Sequence, residues 1–165
     1  MYAKLKIFGH PIHPMLVAYP VAFYTATLVG FIIYGARSDV FWLRLTIALN
    51  VAAVGMAVLA ALPGFLDWLL GIPKRTEASR TGVRHMLLNV AALAAFAVTL
   101  GIYVADWNAT RAATTSATTG IILAAVGVGL TILAGFQGWS LVQDHHVGIR
   151  LNEEQKRVEP VRRAG

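Results

Sequence analysis

Four long apolar stretches separated by short polar ones set the pattern of this 165-residue chain. Met15 to Ala36 runs for 22 residues without a charge, and comparable stretches follow at about 45–70, 85–104 and 120–142. Each is long enough to cross a hydrocarbon core of ~30 Å as a helix. No segment alternates apolar and polar residues as a barrel strand does. The pattern predicts an all-α polytopic membrane protein: an up-down bundle of four transmembrane helices over residues 1–150, then a charged, disordered cytoplasmic tail over 151–165. The first stretch reads as a retained helix. It exceeds a signal-peptide apolar region, and Tyr34-Gly35-Ala36-Arg37 is a poor cleavage site. No internal repeat is evident. Ala53, Ala57, Ala60 and Gly64 in the second stretch recur every three to four residues, as do Gly120, Ala124, Gly127, Ala134 and Gly138 at wider steps in the fourth; small residues so spaced let helices approach closely.

Composition agrees with a bilayer as solvent. Apolar residues make up 57% of the chain, charged residues 13%, and the mean hydropathy is +0.63, against a charged share of about 25% in soluble domains. The net charge of +6 therefore speaks to topology and lipid headgroups, and no basic face interleaved with aromatics points to nucleic acid. Eleven of the 14 Lys and Arg fall in the N-terminal segment, the second loop and the tail, while Arg37, Arg44 and Arg111 lie in the other two loops. That bias predicts a multi-pass protein of the inner (cytoplasmic) membrane with both termini cytoplasmic. The chain has no cysteine, which excludes disulfides, Cys-ligated zinc or iron–sulfur clusters, and thioether-linked haem.

The candidate chemistry is histidine. Gly9-His10-Pro11-Ile12-His13-Pro14 forms a stiff, bent lead-in whose prolines oppose a regular helix, with Pro14 suited to open the first span. His85 opens the third span with Asn89 four residues on, hence on the same face. His145 and His146 close the fourth, and Asp67 lies near the matching end of the second. The predicted topology brings all of these to the cytoplasmic face, and bundle cores build ligand sites from facing helices in this way. Three readings follow: a b-type haem held by two histidines, with the small residues making room for the macrocycle; a transition metal at a His/Asp site; or interfacial histidines that only meet lipid headgroups. His13, His85 and His145, each nearest its apolar span, are the expected ligands, with His10, Asp67 and Asn89 as further members of the site. Trp68, Trp107 and Trp139 near helix ends read as belt anchors, and Asn50 as a helix–helix hydrogen bond. No phosphate loop, dinucleotide fingerprint or nucleophile elbow is present. Whether the protein is an enzyme stays open. A permease would need polar residues along the whole path, and the outer halves of the spans offer little beyond Asn50 and scattered Thr.

The opening Gly9 to Val17 with Tyr19-Pro20 resembles that of the predicted bacterial membrane proteins grouped as domain of unknown function 2231. The likeness continues in Gly64-Phe65-Leu66-Asp67-Trp68-Leu69, in Arg84-His85 with Asn89, and in Leu141 to Gly148. His145 takes the place of the family histidine, His146 stands where glycine is usual, Gln143 replaces a tyrosine, and Phe31 stands where an acidic residue is common. The resemblance implies a four-helix inner-membrane protein. Some relatives carry a Rieske-type iron–sulfur domain on the same chain, which implies electron transfer and a redox partner protein and favours haem over another metal, so that the expected protein is a small b-type cytochrome-like module. A non-catalytic membrane subunit or scaffold is the alternative.

Overall fold

The computed structural model describes residues 4–108, 110, 116–149, 152–155 and 157. Most of the tail expected over 151–165 lies outside the described residues, as do Arg111, Arg150, Lys156, Arg162 and Arg163 of the charge count. A short helix, α1 (Ile12–Leu16), leads into α2 (Ala18–Arg37), and α3 (Val40–Gly71), α4 (Glu77–Tyr103), a 3-10 turn (Val104–Asn108) and α5 (Ala117–Gln143) follow. Four helical stretches are long and apolar enough to cross a membrane: Ile12–Arg37, Val40–Gly71, Glu77–Asn108 and Ala117–Gln143.

The helices overrun the apolar stretches where side chains cap them. Asp39 accepts a hydrogen bond from Phe41 N at 2.8 Å, so α3 starts five residues before the expected boundary at 45. Thr76 accepts from Ser79 N at 3.2 Å with Glu77 in the first turn, which carries α4 back through a stretch that polarity alone assigns to a loop. The first span begins at Ile12, not Pro14, and breaks at Val17. Pro14 and Pro20 each sit third in their helix, within the first turn, where a missing N–H interrupts no intrahelical bond.

Ahead of α1 the chain makes a small antiparallel hairpin, β1 (Lys6–Ile7) with β2 (His10–Pro11). Its turn residues Phe8 and Gly9 both have positive φ, 49° and 82°, as a type I′ turn requires. Ile12 N–H closes the hairpin base by donating to Leu5 O at 3.2 Å.

Within the bundle α2 packs on α3 and α4 on α5, and the two pairs join through α2 with α5 and α3 with α4. The α2 and α4 helices thus face each other across the diagonal, and aromatic rings fill the gap. Tyr24 stacks on Phe96 at 3.8 Å between centroids and 9° between planes, and Phe31 meets Tyr103 at 4.7 Å. Glycines on α5 make room for both layers: a Cβ on Gly120 would lie 2.6 Å from the Phe31 ring, and one on Gly127 2.5 Å from Phe96. The buried hydroxyls of Thr27, Thr46 and Thr99 donate to the carbonyls of Phe23, Trp42 and Ala95, four residues back in their own helices, so their protons ask nothing of the neighbouring helices. Asn50 Nδ2 donates to Phe96 O at 3.2 Å, the interhelical bond expected of it.

Candidate functional site

At the end of the bundle where α1 and α4 begin, two imidazoles meet. His13 on α1 and His85 on α4 lie with ring centroids 6.2 Å apart and planes nearly perpendicular. Each ring is seated on another helix in the same way. His13 Nδ1–H donates to Ala60 O at 2.8 Å, and the ring lies over Gly64, where a Cβ would come within 2.7 Å of it. His85 Nδ1–H donates to Ala134 O, also at 2.8 Å, and lies over Gly138, where a Cβ would come within 3.1 Å. Both acceptors are main-chain oxygens and both seats read Ala-x-x-x-Gly: the alanine supplies the carbonyl, and the glycine one turn later leaves space for the ring. A carbonyl only accepts, so each neutral imidazole must be the Nδ1–H tautomer with its lone pair on Nε2.

The surroundings differ between the two. Asn89 Nδ2 donates to His85 O at 2.9 Å and meets His85 Nε2 at 3.2 Å, so the face shared by His85 and Asn89 in sequence is a contact in space. Among the described residues no comparable amide meets His13 Nε2.

The other expected members stand close to this end without joining the pair. His145 Nε2 meets Thr81 Oγ1 at 3.4 Å, one turn before His85 on α4, so His145 caps the layer from α5. His10 turns back on its own hairpin, Nδ1–H donating to Phe8 O at 3.0 Å. Asp67 accepts from the backbone N–H groups of Lys4 at 2.6 Å and Leu5 at 3.0 Å. Its carboxylate therefore holds down the start of the hairpin that leads into His13, and among the described residues its hydrogen bonds go to backbone N–H groups and not to an imidazole. Among the described residues no group of three or more His, Cys, Asp or Glu side chains is placed to hold a metal ion. The expected trio of His13, His85 and His145 is thus two imidazoles together and one apart.

Residues that sequence reasoning read as helix packing turn out to build the site. Ala60, Gly64, Ala134 and Gly138 stand in small-residue stripes, whose spacing says that something approaches closely and not whether it is a helix or a ring. Trp68, expected as a belt anchor, pins α3 to α4: its Nε1–H donates to Ser79 O at 3.2 Å, its ring fills the space beside Gly82, and Lys74 Nζ lies 3.5 Å over it. Trp107 and Trp139 are exposed, as belt residues are.

The family profile described as Predicted membrane protein (DUF2231) matches residues 9–151. The chain belongs to that family. The match runs from the residue before His10 through all four candidate spans and past the His145-His146 pair, so every member of the site lies inside it. Among curated proteins and among solved structures, none is found to match.

Proposed function

We propose that this multi-pass membrane protein is a metal-binding electron-transfer module in which His13 and His85 are the ligands. The observation that carries the reading is the paired seating: each imidazole gives its Nδ1–H to a backbone carbonyl at 2.8 Å, the arrangement that fixes the tautomer and orientation of ligating histidines and leaves the lone pair on Nε2, which on His85 meets Asn89 Nδ2 at 3.2 Å. The separation suits one atom between the rings. Two imidazoles with centroids 6.2 Å apart would be within reach of one ion held at metal–nitrogen bonds of about 2.0–2.1 Å. A haem would need the space beside the glycines, and that space is filled by His13, His85, Phe31 and Phe96 themselves. The donor set therefore fits a single ion better than a haem. Nitrogen ligands of this kind suit copper, iron, zinc and nickel, and copper or iron would supply one-electron chemistry. The basic-residue bias supports a position of the pair near the cytoplasmic face of the inner membrane, where a soluble redox partner could reach it.

Protein purified in mild detergent should carry, or take up on titration, about one equivalent of copper or iron per chain. His13→Ala and His85→Ala should each abolish retention, while His10→Ala and His146→Ala should leave it unchanged. If no transition metal and no haem is retained under any loading condition, or if His10→Ala is as damaging as His13→Ala, the reading fails.

One observation favours a second reading, a non-catalytic membrane subunit. With Asn89 on its Nε2, His85 has a polar partner at both nitrogens, as a purely structural histidine would. In that case the pair only ties α1 to α3 and α4 to α5, and both alanine variants lose stability without any change in bound metal.

A further inference from the structure

We infer that the chain is an internal duplication, one helical hairpin present twice, and that His13 and His85 are the equivalent halves of one ligand site on the two-fold axis relating the copies. The ligand assignment rests on the metal reading above; the duplication does not. Residue i of α1 and α2 faces residue i+72 of α4 in all three ring pairs, 13 with 85, 24 with 96 and 31 with 103. A constant offset is what any two parallel helices give, so that regularity alone decides nothing. The chemistry at the matched positions does. They hold His and His, Tyr and Phe, Phe and Tyr, and between them Thr27 and Thr99, both fully buried with the same bond to the carbonyl four residues back.

The second helices of the two hairpins match as well. Shifting α3 by 74 residues onto α5 superposes Leu49 on Leu123, Val54 on Val128, Gly55 on Gly129, Leu59 on Leu133, Ala60 on Ala134 and Gly64 on Gly138. The last two pairs are the imidazole seats, so each half carries both the ring and the notch that receives it. Gly55 and Gly129 match in environment too: a Cβ on either would meet nothing within 4 Å. The packing of the four long helices obeys the same operation, since exchanging α2 with α4 and α3 with α5 turns each contact among them into another observed one. The two extra residues in the second offset fall in the link between α4 and α5, which is longer than that between α2 and α3.

A two-fold axis restricts the ligand. A group held by two equivalent imidazoles must present the same bond to both, which a single metal ion does and an asymmetric organic molecule does not. Asn89 breaks the equivalence, because its counterpart in the first half is Val17; it is a positioning residue that must release His85 Nε2 before both rings can bind one ion.

Two measurements on the full chain separate the duplication from the metal reading. In the exchange variant Tyr24→Phe/Phe96→Tyr the axial ring pair keeps its composition and swaps halves. Because the Tyr24 hydroxyl has no hydrogen-bond partner among the described residues, the exchange moves no bond, and the melting temperature in detergent should stay within about 2 °C of the parent. A variant that does not fold, or melts far lower, overturns the duplication. The second measurement titrates Cu(II) into Asn89→Val and follows electron paramagnetic resonance. One copper per chain with two equivalent imidazole nitrogens is expected, bound at least as tightly as in the parent, with a single nitrogen left after either His13→Ala or His85→Ala. Two inequivalent nitrogens, or a spectrum lost only with one histidine, overturns the shared site. No copper binding, with the exchange variant intact, overturns the metal reading and leaves the duplication standing.

Discussion

Replacing Gly64 by alanine should be among the most damaging single-methyl changes in the second span. The new Cβ would stand 2.7 Å from both Cε1 and Nδ1 of His13, so the ring must leave its seat. Overpacking of this kind costs about 1–3 kcal/mol, and losing the bond to Ala60 O adds about 0.6 kcal/mol, the average for polar side-chain bonds in a membrane protein. Against this, alanine gains about 0.8–1.0 kcal/mol over glycine in a helix interior. The net is a loss of about 1–3 kcal/mol. Two further substitutions calibrate it. At Gly138 the nearest ring atoms would be 3.1 and 3.2 Å away, a misfit of a few tenths of an ångström that helix propensity largely offsets, so Gly138→Ala should fall within about 1 kcal/mol of the parent. At Gly55, on the same helix as Gly64, the new methyl meets nothing, and the variant should be as stable as the parent or more so. Unfolding by sodium dodecyl sulfate in mixed micelles, followed by tryptophan fluorescence, should rank Gly55→Ala at or above the parent, then Gly138→Ala, then Gly64→Ala. A Gly64→Ala protein as stable as Gly55→Ala would show that no ring occupies the seat.

Asp67→Leu removes the acceptor for Lys4 and Leu5 N–H and should release the hairpin, read as faster amide exchange over residues 4–11, whereas Asp67→Asn keeps an oxygen acceptor and should hold most of the protection. The same substitutions should leave metal retention within about 2-fold, since the carboxylate bonds backbone and not imidazole; a loss of 10–100-fold, as expected of a residue that orients a ligand, would return Asp67 to the site. Reporter fusions at Gly165 and within 74–84 should report the cytoplasm and one at Thr110 the opposite side. A Gly165 fusion on the far side would invert the membrane face assigned to the imidazole pair.

Much of the architecture is legible in the hydropathy pattern because a bilayer demands length and apolarity and little else. The four spans, their order and the gathering of His13, Asp67, His85 and His145 at one end follow from it. The helix ends are less legible, since Asp39 and Thr76 extend α3 and α4 into polar sequence by capping, which a hydropathy window averages away. The site is half legible. Histidines announce themselves, and the i, i+4 spacing of His85 and Asn89 is a contact that geometry nearly forces. Their acceptors do not announce themselves, because a backbone carbonyl carries no residue identity. Asp67 shows the opposite failure: a conspicuous acid near a membrane end invites a role in the chemistry, while its partners, two main-chain N–H groups of a short hairpin, leave no trace in composition. The duplication escapes notice because most positions drift among Leu, Val, Ile and Ala, so that the inward matches, the imidazoles with their seats and Thr27 with Thr99, stand out only in the assembled bundle.

The seating of the imidazoles on main-chain oxygens has a consequence for genetics. In an alanine scan, Ala60 and Ala134 would be skipped as already alanine, and the atoms that matter at both would be present in every variant. A larger residue at either position would still supply its carbonyl. On the acceptor side the two attachments are therefore silent to a screen that deletes side chains, which registers them through His13 and His85 alone; added bulk at Gly64 or Gly138 also reaches them. Two positions that look like filler in a membrane helix carry half of each attachment through their backbone, and because both alanines are buried a larger side chain there would disturb the packing while leaving the acceptor atom in place.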